Sequence, residues 1–181
     1  MKTAFIIHGS FWNPDENWFP WLKTNLEEKG FKVIIPKFPT PENQSLNTWL
    51  KVFEKYENQI ENSILVGHSL WPAFILNILE KTELKINSAI FVSWFLGLLW
   101  NAEFDKINKT FTDKDFNWNK IKKSCSNFKL FHSDNDPYVS LEKAKELASK
   151  LNSKLEIIKW AGHFNSWSWY LEFKKLLEAI N

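Results

Sequence analysis

The stretch Ile64-Leu65-Val66-Gly67-His68-Ser69-Leu70-Trp71-Pro72-Ala73-Phe74-Ile75-Leu76 holds two different patterns back to back. Its first part is a short apolar run of the kind that forms a buried strand, and its last part is apolar over the length of a helix. Between them Gly67-His68-Ser69-Leu70 leaves no room for a loop, so the chain passes sharply from strand to helix with Ser69 at the turn. A serine there projects its hydroxyl away from the sheet and toward free N–H groups at a helix N-terminus, where negative charge is stabilised. The plainer reading of the same residue is a cap for the helix that begins at Leu70.

Working outward, the same alternation repeats along the chain. Strands are expected at Thr3–His8, Lys32–Ile35, Ser63–Gly67, Ser88–Ser93, Phe128–His132 and Lys154–Lys159, with helices near Trp18–Lys29, Ser45–Asn58, Pro72–Lys81, Trp118–Ser124, Leu141–Leu151 and Trp169–Ile180. In the last of these Trp169, Tyr170, Phe173, Leu176, Leu177 and Ile180 share one face and read as core. Repeated βα units of this kind build an α/β fold, a three-layer sandwich with a mostly parallel sheet of about six strands and helices on both faces. Pro36-Lys37-Phe38-Pro39-Thr40-Pro41 reads as an extended loop, and 94–117, which fits neither period, as a small cap-like insertion over a site. No linker divides the 181 residues, so one domain spanning 1–181 is expected.

In an open parallel sheet, ligands bind at the carboxyl ends of the strands. All four histidines fall there: His8 after the first strand, His68 after the third, His132 after the fifth and His163 after the sixth. A serine nucleophile needs a base and a group that orients the base. His163 supplies the base, and either Asp136 or Asp134, both in the turn Asp134-Asn135-Asp136-Pro137, supplies the acid; Pro137, which fixes the backbone after Asp136, favours Asp136. The oxyanion donors are expected at the Leu70 N–H and in the loop after the first strand, at Ser10 or Phe11. His8 and His68 read as structural, and without a close-spaced ligand pair the histidines and aspartates do not read as a metal site.

Charge and composition narrow the function further. The 23 basic residues nearly balance 21 acidic ones, which argues against a nucleic-acid binder. Every basic residue is lysine, so no bidentate guanidinium clamp for phosphate is available. The one cysteine, Cys125, excludes an internal disulfide and suits a reducing compartment. The chain shows no secretory leader pattern and no apolar run of the roughly 20 residues that span a bilayer, so a cytoplasmic location is expected.

The residues taken together resemble the small serine hydrolases of the retinoblastoma-binding-protein-9/YdeN type, a compact branch of the α/β-hydrolase fold. The resemblance spans nearly the whole chain, through His8-Gly9-Ser10, Glu16-Asn17-Trp18, Pro39-Thr40-Pro41, Gly67-His68-Ser69-Leu70, Ser133-Asp134-Asn135-Asp136-Pro137-Tyr138-Val139 and Gly162-His163-Phe164-Asn165. It implies Ser69 as nucleophile, Asp136 as acid and His163 as base, with hydrolysis of small esters or amides through an acyl-enzyme and without metal or organic cofactor. The acyl pocket is expected from Phe11, Leu70, Phe95, Leu96, Leu99 and Phe164, apolar residues in loops at the strand ends. A competing reading is a catalytically impaired relative that binds a protein or small ligand; no motif for a protein partner is visible.

One departure from the family pattern recurs. The elbow is G-x-S-x-G, yet its last position here is Trp71. Trp12, Trp94, Trp100, Trp160 and Trp169 likewise stand where the family pattern or ordinary turn chemistry expects glycine, and Trp167 is a further candidate. With glycine at those seven positions the chain would hold 4 Trp and 12 Gly, against the 11 and 5 it has, close to the roughly 7% glycine of ordinary domains. Lysine-only basic residues and 18 asparagines fit an AT-rich genome. The expectation is a gene whose UGA codons mean glycine in its own cell, leaving Trp18, Trp21, Trp49 and Trp118 as genuine tryptophans.

Overall fold

The structure, a computed structural model, describes residues 1–99 and 101–180. Among them the chain runs β1 (Thr3–Ile7), α1 (Phe19–Glu28), β2 (Lys32–Ile34), α2 (Leu46–Phe53), β3 (Ile64–His68), α3 (Trp71–Lys81), β4 (Ser88–Val92), α4 (Ala102–Thr112), α5 (Trp118–Ser124), β5 (Phe128–Ser133), α6 (Leu141–Leu151), β6 (Leu155–Ile158) and α7 (Lys174–Ala179). The six strands form one sheet in the order β2-β1-β3-β4-β5-β6, and every pairing is parallel. The chain reverses its direction of travel across the sheet between β1 and β3, which opens a crevice at their carboxyl ends.

Side-chain alternation along the strands divides the core in two. Phe5, Ile7, Leu65, Ala89, Phe91 and Leu130 pack under α2, α3, α5 and α6, whereas Ala4, Ile6, Val66, Ile90, Val92 and Phe131 pack against α1 and α7. This is the three-layer α/β arrangement expected, with helices on both faces. α3 is buried from Trp71 to Leu79, because other helices cover the side that does not face the sheet. Cys125 lies in the first of these cores, with its thiol buried.

The expected strands are all present to within a residue or so, and three expectations for the helices need correction. The helix expected over 45–58 ends at Phe53 and tightens into a 3-10 turn over Glu54–Gln59; its start is held by a capping box in which Ser45 and Thr48 bond one another's backbone N–H. The helix expected from Trp169 begins only at Lys174, because Trp169 has a left-handed φ of 57° that ends the preceding 3-10 turn, Ser166–Ser168. Trp169 is therefore exposed, while Phe173, Leu176 and Ile180 are core as expected. The segment 94–117 contains a regular helix, α4, whose N-terminus is capped by the Asn101 side chain. Trp100 falls outside the described residues. No helix among the described residues is long and apolar enough to cross a membrane.

Candidate active site

Ser69 sits between the last residue of β3 and the start of α3 with φ 66°, a left-handed conformation that costs a non-glycine residue about 1–3 kcal/mol. The strain is held by neighbours: Ser69 N–H donates to the Val92 carbonyl at 2.9 Å. Gly67 lets the helix come close, since a Cβ there would lie 2.9 Å from Ile75 Cδ1 and 3.1 Å from Pro72 N. Geometry of this kind presents a serine hydroxyl at the top of a sheet. Leu70, the next residue, has no acceptor for its N–H among the described residues.

The loops after β5 and β6 bring the other two side chains to it. His163 Nε2 is 3.1 Å from Ser69 Oγ, and His163 Nδ1 is 2.8 Å from Asp136 Oδ2. The second Asp136 oxygen accepts the N–H groups of Tyr138 and Val139, an Asx turn that orients the carboxylate. The Asp136 side chain has no exposed surface. Burial alone would raise its pKa, but the hydrogen bond and electrostatic pull of the His163 ring and the Tyr138 N–H outweigh burial and hold it below the ordinary carboxylate value. Asp134 lies elsewhere: its Oδ1 accepts the N–H of residue 160 at 2.8 Å.

The three remaining histidines are buried and structural. His8 accepts the Phe38 N–H through Nε2 and donates from Nδ1 to the Gly9 carbonyl, so the neutral ring satisfies both; burial pushes its pKa down from 6.5 to about 4. His68 donates from Nε2 to the His163 carbonyl at 2.7 Å, and His132 from Nε2 to the Val139 carbonyl at 3.0 Å. Burial also lowers the pKa of both. They brace the loops that carry His163 and Asp136 without reaching Ser69.

Other expected site residues fall into place unevenly. The Phe11 N–H, expected to help hold an oxyanion, instead donates to Thr40 Oγ1 at 2.8 Å. Ser10, the other residue named for that role, lines the crevice, and its hydroxyl is tied to Gln44 Nε2 at 2.9 Å and Asn108 Oδ1 at 3.3 Å. A cavity of about 600 Å³ opens over Ser69 and His163, and Phe11, Phe95 and Leu99 are among the residues that wall it. Leu96, Leu70 and Phe164 do not line it. Leu96 packs on the α2–α6 side of the core, Leu70 is wholly buried there, and Phe164 is wholly buried on the α1–α7 side, its carbonyl accepting Trp18 Nε1–H.

Residues not foreseen share the wall: Phe104, Asn101 and Asn108 from the α4 segment, Pro137, Tyr138 and Val139 after Asp136, and Trp12, Asn165 and Trp167. Phe104 and Phe11 meet edge to face at 5.5 Å, and Tyr138 meets the His163 ring edge-on at 5.0 Å. Phe104, Ile107 and Phe111 do follow helical spacing, but the aromatic run just before them masks that signal. Among the described residues lining the cavity there is no Lys, Asp or Glu.

The tryptophans separate into two groups. Trp18 and Trp49 are buried, and their indole N–H groups reach the Phe164 and Pro39 carbonyls at 3.0 and 2.8 Å. Trp71 and Trp94 are equally buried, yet neither indole N–H has an acceptor, at about 1–3 kcal/mol for each group. Trp71 also lies face to face on Trp49 with centroids 3.3 Å apart, far tighter than the offset or edge-on contacts aromatic pairs prefer. Trp12 stacks on His68 at 4.6 Å and leans over His163. Trp160 and Trp169 have φ 59° and 57°, and with Trp167 they are 80%, 88% and 79% exposed.

The serine hydrolase family model matches residues 4–180. The YdeN protein of Bacillus subtilis (strain 168) is 32% identical over 166 residues, 90% of this chain and 86% of its own length. Serine hydrolase RBBP9 of Rattus norvegicus is 26% identical over 164 residues, 90% and 84% of the two chains. The crystal structure of the B. subtilis ydeN gene product superposes with a TM-score of 0.92 at 28% identity, covering 99% of this chain and 97% of that one. Est1E from Butyrivibrio proteoclasticus, solved with ferulic acid bound, shares the fold at a TM-score of 0.73 and 16% identity, covering 99% and 86%.

Proposed function

The chain belongs to the serine hydrolase family, and from that membership we propose that it cleaves small, uncharged carboxylic esters through an acyl-enzyme. The observation that carries this reading is the continuous relay from the left-handed Ser69 through His163 to Asp136. His163 takes the Ser69 proton as Oγ attacks the acyl carbonyl, and Asp136 holds the ring and balances the imidazolium that forms. The oxyanion is received by the Leu70 N–H at the start of α3 and by Ser10 in the loop after β1. His163 then gives its proton to the leaving alcohol, and a water attacking the acyl-serine repeats the sequence in reverse roles. Every proton is handled by these side chains, so the reaction calls for no metal or organic cofactor.

The aromatic, uncharged wall supports esters with an apolar or aromatic acyl group over charged ones. Ferulate esters belong in the test panel, given the ligand in Est1E. Amides are the harder substrates of the same relay. The lone buried thiol fits action in the cytoplasm. The whole chain is read as one domain, with 94–117 as its cap.

We infer in addition that positions 12, 71, 94, 100, 160, 167 and 169 carry glycine in the protein that the source cell makes, its UGA codons being read there as glycine. The support is the contrast between the two groups of tryptophans: those at 18 and 49 are bonded as buried indoles should be, whereas those at 71 and 94 are not. Those at 160 and 169 occupy the left-handed region that favours glycine. Glycine at 71 also completes the elbow, and glycine at 12 uncovers His163.

Two measurements test these readings separately. Peptide mass spectrometry of the protein from its source cell should find glycine at 71; tryptophan there overturns the codon reading whatever the activity. A fluorophosphonate probe and p-nitrophenyl esters, applied to the glycine-bearing chain, should show labelling and turnover that Ser69→Ala abolishes. A folded glycine-bearing chain that neither labels nor hydrolyses would favour a binding protein that keeps the fold without turnover.

A further inference from the structure

Three residues beside Asp136 take no part in the relay, yet each holds the loop that carries its partner. β5 and β6 stay in register as far as the pair Ser133 and Ile158. Beyond that pair the hydrogen bonding continues through side chains. Asp134 Oδ1 accepts the N–H of residue 160 at 2.8 Å, Ser133 Oγ that of Ala161 at 3.0 Å, and Asn135 Oδ1 that of Gly162 at 2.9 Å. Ser133 Oγ–H in turn donates to Asn135 Oδ1 at 2.7 Å, which links two of the three acceptors. Three successive side chains thus hold three successive amides, ending one residue before Asp136 on one loop and one before His163 on the other.

We propose that Ser133, Asp134 and Asn135 are positioning residues that extend the β5–β6 pairing past the sheet edge and fix the distance between Asp136 and His163. The proposal rests on the relay described under Proposed function. Asp136 and His163 stand on separate loops, so their 2.8 Å contact survives only while the loops keep a constant separation. A displacement of about 1 Å at such a contact lowers turnover by roughly a hundredfold. All three donors are backbone amides, so the brace is indifferent to which side chain residue 160 bears. The left-handed φ at 160 and at Gly162 curls the chain so that its amides meet the acid loop. The acceptors are well suited to the task, because the Asp134 carboxylate makes a charge-assisted bond and the Ser133–Asn135 link removes the freedom of two short side chains.

The experiment compares Asn135→Ala with Asn135→Asp in the glycine-bearing chain. Asn135→Ala should lower kcat by about 10- to 100-fold with KM within about twofold. It should also speed amide exchange at Ala161 and Gly162 and weaken the downfield resonance of the His163 Nδ1 proton shared with Asp136. Asn135→Asp keeps an acceptor at the same place and should restore most of kcat. Unchanged kcat in Asn135→Ala, or a loss that Asn135→Asp fails to rescue while amide exchange stays slow, overturns the proposal. If Asn135→Ala does not fold, Ser133→Ala against Ser133→Thr decides it by the same readings. Amide exchange and the Nδ1 resonance are read in folded protein with or without turnover, so a failed brace is distinguishable from a failed esterase assignment.

Discussion

The loops after β5 and β6 and the segment containing α4, proposed above as a cap, face each other across one cavity, and they are held in opposite ways. The loops are short and tied by hydrogen bonds to backbone amides on both sides of His163: at 160, 161 and 162 by the acid loop, and at Ser166 by Asn17. The cap reaches the cavity through side chains, with Phe104 on Phe11 and Asn108 on Gln44 and Ser10. Backbone bonding fixes distance, which the chemistry requires. Side-chain packing fixes shape, which changes with each substitution and suits the choice of substrate.

The sharpest way to break this contrast is to strike the loops. Asp136→Asn should leave the fold intact and lower kcat on a p-nitrophenyl ester by about 10⁴-fold, because the neutral amide no longer holds the ring in the right tautomer. A smaller effect that acts on the fold itself is expected from Gly162→Ala. Gly162 has φ 54°, and a Cβ there runs into the Ser168 side chain, so the variant should lose roughly 3 kcal/mol in denaturant unfolding and much of its activity.

Acid should separate the buried histidines from the cap. Between pH 6.5 and about 4 the unfolded chain binds a proton at His8 that the folded chain refuses. Stability therefore falls as the pH drops through that window, by about 3 kcal/mol from His8 at its full extent. His68 and His132 act with the same sign. Thermal melts at pH 7 and 4.5 read the loss, and His8→Gln should make it shallower. The smallest effect belongs to the cap: Phe104→Ala should raise KM for aromatic acyl esters by roughly tenfold while kcat for a short acyl ester changes less than threefold. A fall in kcat as large as in Asp136→Asn would erase the distinction between the two regions.

The same contrast marks what could be read before the structure. The strands, the elbow and the order of Ser69, Asp136 and His163 follow from local patterns, since each lies where an apolar run ends and a turn begins. Which neighbour of Asp136 does what depends on the partner loop: the turn by itself offers Asp134 as a second carboxylate, while its oxygen on the N–H of residue 160 is visible only in the fold. Phe11 is a similar case: its place beside the elbow is a matter of sequence, but the Thr40 hydroxyl that takes its N–H comes from the loop after β2. Leu96 and Phe164 are apolar and near the strand ends, and only packing decides that they turn inward to the two cores. The shortened final helix turns on one backbone angle at position 169, which tryptophan conceals and glycine would have announced.

Cys125 offers a practical consequence. Burial pushes its thiol pKa up to about 11, so near neutrality almost none of it is the thiolate that alkylating and disulfide-forming labels require. The native chain is in effect silent to thiol chemistry. A cysteine introduced at Leu98, 45% exposed on the cap, would then be the sole reactive handle. A spin label or fluorophore attached there can report changes in its own mobility and surroundings as the acyl group arrives and leaves.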